Sequence, residues 1–321
     1  MRPPIRNSLA AGIEALARGE GASRTRHPGA VVYRLTAAEP PTPTLYPSSV
    51  ILLGAGEKQA TLGGKTYAYD PAHYLVVTPT LPMLCATLAS PEAPVLSLQI
   101  EIDLAILREL VLDLPPAPSP PPREVRSVFR APLFRELEDA GARLLACLGD
   151  DRRARALARQ TVREVLFLVL EGPCGDSLRA LAEGPHSQLA HVLRHMSASF
   201  TERTSIAELA RMAGMSVPTF HQHFKAMTKS SPLQYMKAVR LTHARQRLRG
   251  GDRVKTVARA VGYESESQFS REYRRFFGAP PSVDAGLAPR APGGASPDGD
   301  EAAPPGGATS GGSRAPRRRA P

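Results

Sequence analysis

The sequence predicts an α+β protein, with a β-barrel or sandwich and flanking helices in its N-terminal part and an all-α C-terminal part. Three observations predict it. Short β-rich runs at 31–35, 50–53, 65–69, 74–77 and 95–102 are broken by Pro, Gly and Asp. From residue 104 onward, apolar residues recur at helical spacing. A chain of 321 residues is long enough for two domains, each with its own core.

Ahead of the strands, residues 7–18 read as a short amphipathic helix. Leu62-Gly63-Gly64-Lys65 joins two alternating stretches, and Gly-Gly supplies the positive φ that a two-residue hairpin turn requires. A helix at 104–112 is followed by the proline-rich stretch from Pro115 to Pro122, which cannot continue it. Two further helices follow. Leu133, Phe134, Leu137, Leu144, Leu145 and Leu148 share one face of the first, and Leu157, Val162, Val165, Leu166, Val169 and Leu170 crowd the second. Helices this apolar cover either the strands or the same helices of a second subunit, and both arrangements fit the pattern. Gly172-Pro173 and Gly184-Pro185 bracket a linker. Beyond Asp284 the composition shifts to Gly, Pro, Ala and Ser, which reads as a disordered tail. The expected division is a sensing and dimerising domain at 1–171, a linker at 172–185, an all-α domain at 186–284 and a tail at 285–321.

Composition narrows the function classes. At 42% hydrophobic and 22% charged residues, neither a fibrous nor a wholly disordered chain fits. No apolar run approaches the roughly 18 residues of a membrane span, and the N-terminus lacks the pattern of a signal peptide. Three cysteines, 85, 147 and 174, form neither a CxxC pair nor a disulfide framework, so the expected compartment is a reducing cytoplasm. Residues 186–284 hold 16 Lys/Arg against 7 Asp/Glu, +9 of the chain's +11. Such concentration is the electrostatic footprint of a polyphosphate partner, although a basic solvated surface has the same charge.

Pattern decides between the two. Ile206, Leu209, Ala210, Ala213, Gly214 and Met215 recur as Val254, Val257, Ala258, Val261, Gly262 and Tyr263, displaced by 48 residues. Ser216, Phe220, Phe224 and Met227 recur as Ser265, Phe269, Tyr273 and Phe276, displaced by 49. Each copy reads as a short helix, a glycine suited to the left-handed helix C-terminus, and a second helix capped by Ser. Ser205 and Glu208 match a capping box at the first start. This is the helix-turn-helix plan, whose second helix enters the major groove of DNA. Residues 233–249 form one helix between the copies, about 25 Å long at 1.5 Å per residue. A strut of that length holds two recognition helices about one DNA turn, roughly 34 Å, apart.

The segments FHQHFKAMTKSSPLQYMKAVRLTHARQRL and VARAVGYESESQFSREYRRFFGAPPS resemble the tandem helix-turn-helix domain of the AraC/XylS family of bacterial transcriptional regulators. Upstream, LYPSSVILLGAGEKQATLGGKTYAYDPAHYLVVTPTLPM and ASPEAPVLSLQIEID resemble the N-terminal domain of an AraC-type subgroup, a cupin-like β-fold. The resemblance covers most of residues 40–284. It implies a sequence-specific, DNA-binding transcription factor, with double-stranded DNA and RNA polymerase as partners. It further implies a small effector sensed by the N-terminal domain. The helices between Pro132 and Leu170 carry more apolar surface than one small β-domain requires, so a homodimer through the N-terminal part is expected, and no cofactor is assigned.

Phe220 and Phe224 face the core of the first unit and leave Val217, Pro218, His221, Gln222 and Lys225 outward. The resemblance places base-edge contacts at Pro218, His221 and Gln222, with Thr219 near phosphate. Gln222 suits adenine, and Pro218 offers only apolar contact, for instance to a thymine methyl. In the second unit Phe269, Tyr273 and Phe276 turn inward and expose Ser267, Gln268, Ser270, Arg271, Arg274 and Arg275. Arg271 is the natural guanine reader and Gln268 the adenine reader, while Arg274 and Arg275 reach phosphate or solvent.

Competing chemistry finds little support. His221 and His223 stand about 200° apart around a helix and do not share a metal easily. His73 is the sole histidine of residues 31–102, so the paired histidines of a metal cupin are missing, as are a catalytic triad and a phosphate-cradling glycine loop. No catalytic or metal-ligating residue is therefore assigned. Cys85 and Cys147 are expected to be buried and Cys174, in the linker, exposed. Two alternatives remain: a cupin-like enzyme fused to DNA-binding helices, and an effector-independent architectural DNA binder.

Overall fold

The computed structural model describes residues 6–114, 126–202 and 204–286. The proline-rich loop expected at 115–122, and the expected tail from residue 287 on, lie outside the described residues.

The N-terminal domain runs α1 (Arg6–Leu16), β1 (Gly21–Arg24), β2 (Ala30–Leu35), β3 (Glu39–Tyr46), β4 (Ser49–Ala55), β5 (Glu57–Leu62), β6 (Lys65–Tyr69), β7 (His73–Val77), β8 (Leu81–Leu88), β9 (Val95–Glu101), α2 (Leu104–Asp113), β10 (Val128–Pro132), α3 (Arg135–Leu148), α4 (Asp151–Glu171) and α5 (Gly175–Ala182). Its strands form two antiparallel sheets, β1-β2-β9-β4-β7-β10 and β3-β8-β5-β6. Ile51, Leu53, Leu75 and Val77 fill the space between the sheets. Val50, Leu52, Tyr74 and Val76, on the other face, meet the helices. Covered on both faces, β4 and β7 read as unbroken apolar runs instead of alternating ones. The β5–β6 turn has Gly63 at φ 56° and Gly64 at φ 83°, the two positive values of the primed hairpin turn.

Leu137 and Leu144 of α3 and Val162, Val165 and Leu166 of α4 pack into the same cluster as the six-stranded sheet and α1. Of the two arrangements open to these apolar helices, the fold adopts the one within a single chain. The stretch 172–185 is not a linker. Gly172 does end α4, but Leu178 and Leu181 of α5 then return to the core beside α2 and α4, since their spacing makes an apolar stripe. Cys174 is buried with them, contrary to expectation, at 1% exposure and 4.0 Å from the Tyr74 hydroxyl. Burial pushes its thiol up to about 11, away from the reactive thiolate.

The C-terminal domain consists of α6 (Gly184–Ala198), α7 (Ile206–Met212), α8 (Val217–Thr228), α9 (Pro232–Arg249), α10 (Val254–Ala260), α11 (Glu266–Phe277) and α12 (Pro281–Gly286). It has two small cores. Leu189, Val192 and Leu193 of α6, Leu209 of α7, Phe220 and Phe224 of α8, and Tyr235 and Val239 of α9 form one. Leu241, Ala244 and Leu248 of α9, Val257 and Val261, and Phe269 and Tyr273 of α11 form the other. The 18 residues of α9 span about 27 Å and belong to both.

Polar side chains from both sides join the β-domain to this helical pair. The Ser127 hydroxyl donates to the Met227 carbonyl at 2.8 Å, the Tyr235 hydroxyl donates to the Thr80 carbonyl at 2.9 Å, and Arg249 pairs with Glu39 at 3.3 Å. Among the described residues, no helix is long and apolar enough to cross a membrane.

Candidate nucleic-acid interface

The sequence repeat is a repeat of geometry. After α7 the Met215 N–H donates to the Ala210 carbonyl at 2.9 Å around Gly214, φ 63°. After α10 the Tyr263 N–H donates to the Ala258 carbonyl at 3.0 Å around Gly262, φ 85°. Both closures require a left-handed residue, which glycine adopts without a Cβ clash. Ser216 then accepts from the Thr219 N–H, and Ser265 from the Gln268 N–H, each at 3.3 Å. The capping box of Ser205 and Glu208 is complete, whereas α10 starts at Arg253 without a side-chain cap.

With Phe220 and Phe224 turned fully inward, Pro218, Thr219, His221, Gln222 and Lys225 lie exposed on α8. Phe269 and Tyr273 do the same for α11 and leave Ser267, Gln268, Arg271, Arg274 and Arg275 exposed. The Thr219 hydroxyl is engaged with that of its cap, Ser216, at 2.8 Å. Three carboxylates of the second unit are paired from α9: Glu272 by Lys237, Asp252 by Arg247, and Asp284 by Arg245 and Arg249. The outward arginines of α11 are left to solvent.

Three residues that matter to this surface were not singled out in the sequence. Glu272, on the inner side of α11, receives Lys237 and the Tyr263 hydroxyl, both at 3.0 Å. Burial alone would raise its pKa, but these two donors outweigh it and hold the carboxyl below its usual value. Asp284 of α12 is buried, and Tyr273, Arg245 and Arg249 keep it low in the same way against burial. The third is Lys229, which ends α8 at φ 57° where Gly278 ends α11 at φ 80°. The 49-residue offset of the repeat aligns the two, so a lysine in a glycine position was a readable signal.

Lys229 borders a cavity of about 280 Å³ between Pro43, Leu62 and Leu84 of the β-domain and Ala238 and Phe276 of the helices. Its stem lies on the hairpin tip, where a Cβ on Gly63 would stand 2.8 Å from Lys229 Cγ. Among the described residues, no three His, Cys, Asp or Glu side chains come together as a metal ion requires.

A two-sheet domain here precedes paired helix-turn-helix units, and comparison with known proteins finds the same two parts. Residues 26–177 match the AraC-type transcriptional regulator N-terminus, and residues 209–284 match a helix-turn-helix domain. The chain thus joins an AraC-type regulator N-terminal domain to a helix-turn-helix domain, and the relatives it resembles are transcriptional activators. The transcriptional activator RhaS of Escherichia fergusonii is 31% identical over 121 residues, 37% of this chain and 44% of RhaS. The virulence regulon activator VirF of Yersinia enterocolitica is 28% identical over 131 residues, 39% of this chain and 47% of VirF. The chain thus spans less than half the length of these curated relatives. Apo ToxT from Vibrio cholerae shares the fold, with a TM-score of 0.59 over 83% of this chain and 100% of ToxT at 9% identity. A ToxT structure with bound unsaturated fatty acid is similar at 0.58 and 9% identity, over 81% of this chain and 95% of that one.

Proposed function

We propose that this protein is a sequence-specific transcriptional regulator that reads double-stranded DNA with α8 and α11 in successive major grooves. The observation that carries this is the close kinship of the two units: the same glycine closure, the same serine cap and the same inward aromatic pair, with polar and basic side chains outward. In this reading Gln222, His221 and Pro218 meet base edges in the first groove, with Thr219 and Lys225 at the backbone. Arg271, Gln268 and Ser267 read the second groove, and Arg274 and Arg275 hold phosphate. RNA polymerase is the partner through which bound protein acts. Selection of duplexes from a random pool, followed by gel-shift titration at two salt concentrations, tests the reading. A selected sequence that outcompetes random DNA supports it, and equal affinity for both favours the architectural binder.

The cavity beside Lys229 is the proposed effector site. It is mainly apolar, it carries a cation at its rim, and it contacts both the β-domain and α9, so an occupant would bias how the two meet. The similarity to ToxT with bound unsaturated fatty acid makes an amphipathic acid the first class to try. Homodimerisation through the N-terminal domain is a further element of the reading. With most of α3 and α4 covered internally, exposed Leu112 and Leu157 on α2 and α4 offer apolar surface for it, as do Leu84 and Leu88 on β8. Sedimentation of the full chain, with and without Leu112→Glu, measures this, and a monomer at micromolar concentration would refute it. No catalytic role is assigned to the β-domain.

A further inference from the structure

The second recognition helix is held from behind by a charged hub that has no counterpart among the described residues of the first unit. Asp284 is 3% exposed, and its carboxylate accepts from the Tyr273 hydroxyl at 2.7 Å, from Arg245 Nε at 3.2 Å and from Arg249 Nε at 3.2 Å. Tyr273 is fully buried on α11, two residues after Arg271 and one before Arg274. At the matching position of α8 stands Phe224, which has no hydroxyl to fix. Arg245 also lies over the Phe277 ring of α11, 4.8 Å from its centroid.

The hub does not end inside the helical domain. Arg249 closes α9, and while its Nε donates to Asp284 its Nη1 donates to Glu39 Oε1 at 3.3 Å. Glu39 begins β3, an edge strand of the four-stranded sheet, 210 residues away in sequence. One guanidinium therefore joins the sensing domain, the strut helix and α12. The contacts Glu39–Arg249–Asp284–Tyr273 run without a gap from the β-domain to the inner side of the helix that presents Arg271. A planar guanidinium with two carboxylates has its orientation set by both, so neutralising one changes the geometry offered to the other.

We propose that Asp284 is a positioning residue for base reading by α11, and that Glu39 extends its hub into the β-domain, so that this domain tunes the second half-site without touching DNA. The proposal rests on the reading of α11 as a recognition helix, and its test separates the two. Coupling here is an energy shared between sites through packed groups with more than one arrangement, and it acts in both directions.

The experiment uses the full chain and a duplex selected from a random pool. Arg271→Ala and Gln222→Ala first assign which base pairs belong to α11 and which to α8. Discrimination at each half is then measured for Asp284→Asn, Asp284→Glu and Glu39→Gln by titrating single-base variants. Asp284→Asn should lower discrimination about tenfold in the α11 half while leaving the α8 half unchanged, since a charge-assisted network is lost. Asp284→Glu, which keeps the charge, should restore part of it. Glu39→Gln, at the surface and outside both helical cores, should lower discrimination about fivefold in that same half. A melting temperature that falls with discrimination intact, or equal losses in both halves, makes Asp284 a packing residue and overturns the proposal. An unchanged α11 half in Glu39→Gln overturns the link to the β-domain. If Arg271→Ala alters no base preference, the reading of α11 itself is what fails.

Discussion

The two helix-turn-helix units share a backbone and differ in what holds them. Behind α8 the contacts are ring on ring: Phe220 lies 5.4 Å from Phe224, which meets Tyr235 edge-on at 5.5 Å. Behind α11 a similar aromatic pair, Phe269 and Tyr273 at 5.4 Å, is joined by half-buried Glu272, buried Asp284 and their α9 cations. The outer faces differ in parallel. α8 presents Pro218, His221 and Gln222 with one lysine, Lys225, whereas α11 presents three arginines. If α11 reads DNA as proposed, its basic face raises affinity for any phosphate backbone, and Glu272 and Asp284 are the groups that would hold the helix to one geometry. Divergence of a duplicated unit can therefore occur at the inner side of a recognition helix as well as at the side facing DNA.

The largest expected effect tests whether apolar packing dominates both units. Phe220→Ala should cost about 3–5 kcal/mol in urea melts, the usual range for a fully buried phenylalanine. If Phe269→Ala costs the same, the charged hub adds direction and little stability. A markedly smaller loss would show that the hub carries the second unit.

Next in size is the reading contrast. Arg271→Ala should cost about 1–3 kcal/mol on a selected duplex and relax preference at one base pair. Gel shifts against single-base variants measure it, and a uniform loss on all sequences would reduce α11 to a phosphate clamp. Lys225→Ala should weaken selected and random DNA alike and lower the salt slope by about one. Titrations at several salt concentrations check this.

The smallest effect separates the units by pH. Burial lowers the pKa of His243, stacked on Phe200 at the junction, and that of His186, which also feels His223 of α8. A histidine lowered in the folded state is protonated first in the unfolded one. Its stabilisation is complete above about pH 6.5 and is lost as pH falls through the lower folded value. Glu272 and Asp284 are lowered carboxylates, so their contribution persists down to about pH 4 and fades below it. Between those limits α6 and α8, beside His186, should exchange amide protons faster while α11 stays protected. Hydrogen exchange at pH 5 and pH 7.5 distinguishes this from uniform loosening.

Features of the candidate interface were legible where their cause is local. The glycine closures at 214 and 262, the caps at Ser216 and Ser265 and the inward aromatics follow from spacing within a dozen residues. All ten expected DNA-facing side chains consequently lie on exposed helix surface. Lys229 was legible only by aligning the repeats, because a lone lysine after a helix signals nothing. Glu272 and Asp284 look like ordinary surface acids in the sequence, since no local pattern says that a carboxylate has cations behind it.

The sequence by itself determined the α+β class, the double unit and the outward faces, since strand runs, helical periods and caps are satisfied by near neighbours along the chain. Tertiary structure alone decided that 175–182 is a packed helix, that Cys174 is buried and that α3 and α4 cover their own sheet. It also decided that Glu39 reaches Arg249 and that a cavity opens beside Lys229. Each of these depends on which distant surfaces meet. An apolar stripe fixes that something must cover it, while the identity of the cover depends on the arrangement of the whole chain.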